Sequence, residues 1–362
     1  MVMKKIAILL PDLRGGGAET MRLKLAEAWR EEYKVEFVLL ERTGELLEKA
    51  EANFNVESLE VRRIRGLLPA LKTYVNKKQP DVLLVAMWPL TAIAPIAVKL
   101  SSASSVCVVS EHGIISEEQR ERGWRYRALL GLTSMVGYRL ADVRIGVSNG
   151  VANDMSRVSL MAKDSFCTIY NPACSGALIE KGESPFVDVT TPIIISVGKF
   201  KKVKNHRLLI LAFADLLKEM DVTLCLLGEG ELESEYLSLI SDLGIANSVL
   251  MPGYDPNPHK YMVHSDLFVL SSDLEGFANV LVEAMQCGVS IVSTDCKSGP
   301  REVLEDGKYG RLVPVGSKEA LTNAMRSVLE GDRSPGDLQV RSKDFLVSEI
   351  AQQYIHVMFS SF

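Results

Sequence analysis

The sequence predicts an α/β chain built from two tandem units, each a parallel sheet flanked by helices. Three observations predict it. The length of 362 residues exceeds one ordinary core and suits two domains of about 150–200 residues. Short β-branched apolar runs alternate with longer helical patterns, the rhythm of parallel strands joined through crossover helices. That rhythm pauses once, over NPACSGALIEKGESPFVDVTTP from Asn171 to Pro192, which is rich in Pro, Gly and Ser and reads as a linker.

Element by element, the first half offers strands at Lys5–Leu10, Val35–Leu40, Asp81–Met87, Ser105–Ser110, Val143–Val147 and Thr168–Tyr170. Helical patterns lie between them at Ala18–Glu32, Leu67–Lys78 and Tyr126–Leu140. The second half restarts with strands at Ile193–Val197, Thr223–Gly228, Ser248–Met251, Leu267–Ser271 and Ser290–Ser293. Its helices are expected at Leu208–Met220, Leu232–Leu243, Val280–Cys287 and Lys318–Glu330. Two such units make a cleft between domains, and the loops at the carboxyl ends of the strands are where chemistry belongs.

Composition narrows the classes. A hydrophobic content of 47% with 24% charged residues is that of a globular protein, and a net charge of −5 argues against general nucleic-acid binding. The six cysteines contain no C-x-x-C pair and several sit in apolar runs such as SVCVV and TLCLL. They read as reduced core residues of a cytoplasmic protein rather than a disulfide framework or a zinc site. The opening MVMKKIAILLPDL has a short apolar core and no small-residue cleavage pattern, so it reads as a strand and not a secretory leader. The longest apolar stretch, Val82–Leu100, is interrupted by Pro89 and Pro95 and falls short of a membrane span.

Five loops could carry chemistry. LLPDLRGGGAET follows the first strand and opens a helix; Gly15, Gly16 and Gly17 allow a close backbone approach to a ligand. Thr20 breaks the G-x-G-x-x-G pattern of dinucleotide binding, and a plain tight strand–helix turn is the alternative. In SVGKFKKVKNH, Lys199, Lys201, Lys202 and Lys204 crowd behind a strand, where they could neutralise a diphosphate or simply be a solvated loop. LLGEGELESEY carries Gly228 and Gly230 and is consistent with a tight turn. VVSEHGI places His112 after a strand. In DLEGFANVLVEAMQCG, Glu275 precedes a helix starting near Ala278 or Asn279, and Glu283 lies about a turn inside it. The helix N-terminus around Gly276, Phe277 and Ala278 favours an anion, and two carboxylates beside it suit hydroxyl donors. A ligand with phosphates and many hydroxyls is a sugar nucleotide.

The segment EGFANVLVEAM resembles the E-x7-E signature of family 4 glycosyltransferases, retaining enzymes of the GT-B architecture. GGGAE, SEHG, SNGV, IYNP, SVGKFKKVKNH, LLGEGEL, MPGY, HSDLFVLSSDLEGF and GVSIVSTDCKSGPREVL follow that family's order over nearly the whole chain. The resemblance implies two Rossmann-like domains facing across a cleft. Residues 1–172 would bind the acceptor, 173–192 link, 193–340 hold the nucleotide sugar, and 341–362 form a helix returning to the first domain. It implies His112 and Glu275 as candidate catalytic residues, with Glu275 at the hydroxyls of the transferred sugar. Glu283 would hold the ribose, Lys199 and Lys204 grip the diphosphate, Gly16 and Gly17 close over the phosphates, and Tyr254 lie near the base. Main-chain groups of Gly276, Phe277, Ala278 and Asn279 would complete the donor site. Lys199 stands where relatives more often carry Arg, which keeps charge and loses bidentate geometry; Ala278 stands where they often carry Gly or Pro.

SGPREVL resembles a subgroup that uses UDP-linked sugars to build bacterial surface glycans. No D-x-D occurs, so no metal or other cofactor is expected, and lysines and helix amides would stabilise the leaving phosphate. The resemblance implies retention by front-face attack, the phosphate taking the acceptor's proton. QRERGWRYRALLGLTSMVGYRL, from Gln119 to Leu140, mixes arginines with Trp124, Tyr126 and Leu129, and VRRIRGLL adds Arg62, Arg63 and Arg65. Such a basic amphipathic stretch suits an anionic membrane surface and a polyprenyl-diphosphate-linked acceptor; an ordinary solvated helix face is the alternative. A sugar-nucleotide epimerase and a non-catalytic sugar-nucleotide sensor are the competing readings.

Overall fold

The structure, a computed structural model, describes residues 3–177, 179–333 and 336–360. The chain divides into two compact units, one of residues 1–172 with 347–362 and one of residues 173–346.

The first unit is built on strands β1 (Lys5–Leu10), β2 (Lys34–Leu39), β3 (Asn55–Ser58), β4 (Val82–Ala86), β5 (Val106–Glu111), β6 (Val143–Gly146) and β7 (Cys167–Thr168). All pairings are parallel, in the order β3-β2-β1-β4-β5-β6-β7. Strands such as β1 (IAILL buried throughout) and β4 are apolar on both faces because helices cover both faces of a parallel sheet. The helix Val347–Phe359 belongs to this unit. Ile350, Ala351, Tyr354 and Met358 join its core, and the Trp29 indole N–H donates to the Ala351 carbonyl at 3.1 Å.

The second unit repeats the plan with β8 (Ile193–Val197), β9 (Thr223–Leu227), β10 (Val249–Gly253), β11 (Leu267–Leu270), β12 (Ser290–Thr294) and β13 (Arg311–Val313). Its order is β10-β9-β8-β11-β12-β13, again parallel. The chain reverses direction of growth beside β8 and β11, so the loops after these two strands flank the switch point where such sheets take ligands.

Several expectations change. The edge strands β3 and β13 are additions to those expected: NVES has no apolar alternation, and β13 has three residues. Leu90–Lys99 is a helix that tolerates Pro95 inside it, and Asn149–Ser159 is a helix capped by the Ser148 hydroxyl accepting from the Val151 N–H at 3.1 Å. Residues 173–192 are no free tether. The Gln286 amide donates to the Ser175 hydroxyl at 3.0 Å and the Ala177 carbonyl at 2.8 Å, and Phe186 meets Tyr261 edge-on at 5.7 Å, all within the second unit. Residues 341–346 also stay there, and the following helix starts at Val347.

Candidate functional site

In the second unit the loops after β8, β9 and β11 meet. Phe200 N–H donates to the Glu229 carbonyl at 2.7 Å, Gly198 N–H to Leu227 at 3.0 Å, and Leu232 N–H to the Phe200 carbonyl at 3.1 Å. Gly228 and Gly230 are there because the loops touch backbone to backbone: both have positive φ, and a Cβ at either would collide with the main chain of Gly198 or Phe200. The weakest sequence signal is thus the joint that fixes the lysine loop.

From that joint the chain turns through Lys202–Lys204, and Asn205 caps the helix His206–Leu216 by accepting from Leu208 N–H at 3.2 Å. The Asn205 amide also donates to Asp273 at 2.9 Å, and Asp273 N–H donates to the Val203 carbonyl at 2.8 Å, which clamps the loop after β11 beside the lysines. The result is a compact polar knot. Glu275 Oε1 accepts from Lys204 Nζ and from the Ser272 hydroxyl, each at 2.6 Å, and the carboxylate side chain is only 10% exposed. Directly behind it Ala278 takes a left-handed conformation (φ 69) and the helix Asn279–Cys287 begins. Ala278 has no side-chain oxygen to cap that helix. Phe277 is 2% exposed and its ring meets Phe345 edge-on at 5.4 Å, so its side chain anchors the loop.

In the first unit the glycine loop follows β1. Gly15 has φ 75 and Gly16 precedes the helix Gly17–Trp29, with the Glu19 carboxylate lying where a Cβ of Gly16 would stand. His112 follows β5. Its Nε2 lies 2.9 Å from Arg22 Nη2 and 3.5 Å from the Ser110 hydroxyl, while Nδ1 is buried without a protein partner. Burial first, and the Arg22 charge second, hold His112 well below the usual histidine range. The neighbouring Glu111 is buried and accepts from Trp88 N–H at 3.1 Å, from the Tyr138 hydroxyl at 2.8 Å and from the Thr91 hydroxyl. Burial pushes its carboxyl up to about 7 despite those donors.

Two family models cover these features. One, described as Glycosyltransferase Family 4, matches residues 15–173; the other, Glycosyl transferases group 1, matches residues 180–344. The chain belongs to glycosyltransferase family 4. Among the relatives of this glycosyltransferase is the Campylobacter jejuni N-acetylgalactosamine-N,N'-diacetylbacillosaminyl-diphospho-undecaprenol 4-alpha-N-acetylgalactosaminyltransferase, 36% identical over 54% of the chain and 53% of the relative. The chain spans about half the length of that relative and of several others it matches. A second Campylobacter jejuni relative, a GalNAc-alpha-(1->4)-GalNAc-alpha-(1->3)-diNAcBac-PP-undecaprenol alpha-1,4-N-acetyl-D-galactosaminyltransferase, is 25% identical over 98% of both chains. The fold matches that of Anabaena HepE, solved in complex with UDP, at a TM-score of 0.85 and 23% identity over 99% of the chain and 100% of HepE. With its two parallel-sheet Rossmann-like units, the family 4 chain has the GT-B fold.

The remaining expected residues of the glycosyltransferase fall into place unevenly. Lys199 is exposed, and the lysine of the cluster that meets Glu275 is Lys204. Glu283 is the fifth residue of its helix and half-buried. Tyr254 stands 61% exposed immediately after β10. Sequence reasoning misses Ser272 and Arg22. Ser272 is silent in the sequence, but Arg22 shares the helical stripe of Ala18, Leu25 and Trp29, and a charge on an apolar stripe is a readable signal. Among the described residues no group of three His, Cys, Asp or Glu side chains is placed to hold a metal ion. All six cysteines are free thiols, and burial raises those of Cys225, Cys287 and Cys296 to about 12.

The helix Gly123–Leu140 presents its apolar residues outward as well as inward. Leu130, Ser134, Gly137 and Tyr138 face the core, whereas Trp124 (74% exposed), Leu129, Leu132 and Val136 face solvent. No acidic residue lies in it; Arg122 donates to the Tyr126 hydroxyl at 3.0 Å and Arg125 stacks over Trp124. Among the described residues, no helix is long and apolar enough to cross a membrane.

Proposed function

We propose that this family 4 glycosyltransferase moves a hexose or N-acetylhexosamine from a UDP-sugar to a polyprenyl-diphosphate-linked glycan, with retention, in the assembly of a bacterial surface glycan such as O-antigen. The observation that carries the reading is Glu275, held by Lys204 and Ser272 at the head of the helix Asn279–Cys287. A carboxylate fixed by a cation and a hydroxyl is pre-oriented to accept from sugar hydroxyls, and the adjoining helix end and lysine suit a diphosphate. The undecaprenol-linked acceptors in the names of two relatives, and the UDP bound by HepE, point the same way.

In the proposed reaction the bond from the anomeric carbon to the diphosphate oxygen breaks and a bond to the acceptor oxygen forms on the same face. The departing phosphate takes the acceptor's proton, with Lys199 and Lys204 stabilising its charge without a metal. Glu283 holds the ribose, Tyr254 lies at the base, and Gly276, Phe277, Ala278 and Asn279 offer main-chain contacts to the donor. Gly16, Gly17 and His112 are the first unit's candidates for contact with the donor phosphates and sugar. The outward face of Gly123–Leu140, apolar and basic together, would rest peripherally on the cytoplasmic membrane face where such acceptors are anchored.

The test is UDP release by the purified protein with a panel of UDP-sugars and undecaprenyl-diphosphate glycans, with and without EDTA. Release should require an acceptor and survive EDTA. Glu275→Gln should lower turnover by about 100-fold or more while calorimetric UDP affinity changes little. Conversion of a UDP-sugar to its epimer without acceptor would replace this reading with the epimerase one, and a β-linked product from an α-linked donor would remove retention.

A further inference from the structure

We infer that Arg22 is a positioning residue that locks the His112 imidazole in the tautomer carrying its proton on Nδ1. The geometry leaves little choice. Arg22 Nη2 lies 2.9 Å from His112 Nε2, and a guanidinium has donors only and does not give up its charge. Nε2 must therefore be the lone-pair nitrogen, and the proton of the neutral ring sits on Nδ1. That nitrogen is buried and meets no protein acceptor.

Arg22 is an expensive residue to place there. It is 0% exposed, its Nε and Nη1 have no partner, and among the described residues no carboxylate pairs with it. The guanidinium carbon lies 5.1 Å from the centroid of the Tyr354 ring, a cation–π contact that offsets only part of the desolvation. The helix carrying Tyr354 thus backs Arg22, and Arg22 backs His112. The other groups around the ring do not compete. Ser110 is at 3.5 Å from the same Nε2, Glu111 is turned to Trp88, Thr91 and Tyr138, and the Glu118 carboxylate lies against Gly113. The Arg22 charge also opposes protonation of the ring.

The consequence is a division of labour. While Arg22 occupies Nε2, His112 takes no proton there, and it offers a neutral N–H from Nδ1 to an acceptor oxygen. It is a hydrogen-bond donor and not a base. This consequence for turnover rests on the proposed placement of His112 near the donor sugar; the tautomer itself does not.

The experiment is long-range 1H–15N NMR of the full chain, whose five histidines are resolved by comparison with His112→Gln. The wild type should show His112 with a bare Nε2 and a protonated Nδ1, staying neutral to well below the usual histidine range. In Arg22→Met the tautomer should swing to the ordinary Nε2–H form and the titration should rise toward about 6.5. Arg22→Lys, which keeps a donor, should retain the wild-type tautomer. In kinetics Arg22→Met should lower kcat by about tenfold, the worth of one lost hydrogen bond. Its UDP-sugar KM should stay nearly constant and the acid limb of its pH profile should shift upward, which a merely structural loss would not cause. A wild-type His112 protonated on Nε2, or an Arg22→Met spectrum identical to wild type, overturns the inference. Should Arg22→Met not fold, the wild-type and Arg22→Lys spectra decide the matter. Absence of transfer with every donor would instead overturn the proposed function and leave the tautomer assignment by NMR intact.

Discussion

The Lys204–Glu275 pair invites a double-mutant cycle. Glu275 Oε1 receives two donors at 2.6 Å, and the side chains of Lys204 and Glu275 are 27% and 10% exposed. At that burial a charge-assisted bond contributes about 1.5–3 kcal/mol, and the residual solvent access of Lys204 favours the lower end. Lys204→Met leaves a nearly buried carboxylate with only the Ser272 hydroxyl. Glu275→Gln leaves an ammonium facing a neutral amide. Each single change should cost about 2 kcal/mol, and the double change should cost little more than either, giving a coupling of about 1–2 kcal/mol. For a unit of this size that corresponds to a melting shift of about 2–4 °C per kcal/mol. Far-UV circular dichroism is the probe, because Trp29, Trp88 and Trp124 all lie in the first unit and fluorescence follows that unit alone. If the two single changes added to within about 0.5 kcal/mol, the pair would not be an interacting unit and the polar knot around Glu275 would be refuted.

Two further outcomes are expected. His206 is buried among Phe200 and Tyr236, and burial first and Lys204 second lower it to about 4. The unfolded chain binds that proton more readily, so stability present above about pH 6.5 is lost as pH falls toward the folded value, up to about 3 kcal/mol. Glu111 and His112 titrate in the first unit, so the quantity to measure is the melting difference between His206→Phe and wild type, which should shift in favour of the variant on acidification. Separately, removing the chain after Leu346 takes Ile350, Tyr354 and Met358 out of the first core, at about 1.5–3 kcal/mol each. That loss rivals the whole stability of a domain, so the cooperative tryptophan-fluorescence transition should disappear; an unchanged transition would mean the helix is dispensable.

Much of the fold is legible in the sequence because parallel strands buried on both faces must be apolar runs. KIAILL and IIISV could hardly be anything else. NVES is illegible because an edge strand needs no such run, and Leu90–Lys99 is obscured because Pro95 reads as a break while the helix packs well enough to carry it. Of the site, the E-x7-E spacing and the lysine cluster are readable as local patterns. Which lysine meets Glu275 is not, since the contact joins residues 71 apart and is decided by how Asn205, Asp273 and Val203 clamp two loops. The Phe277 ring could not be assigned to the interior without Phe345, which comes from another part of the chain.

The Trp29–Ala351 hydrogen bond spans 322 residues, and its reach has a bearing on biogenesis. During synthesis β1 to β7 emerge from the ribosome well before the helix that covers Trp29. The entire second unit, a contiguous segment from Ala173 to Leu346, is made in between and has every strand it needs. The order of maturation is therefore inverted relative to the order of translation: the later unit can mature first, while the earlier one waits with an uncovered patch around Trp29 and Arg22. That interval is when this chain has most need of a chaperone, and a ribosome stalled anywhere within the second unit leaves the first one unfinished.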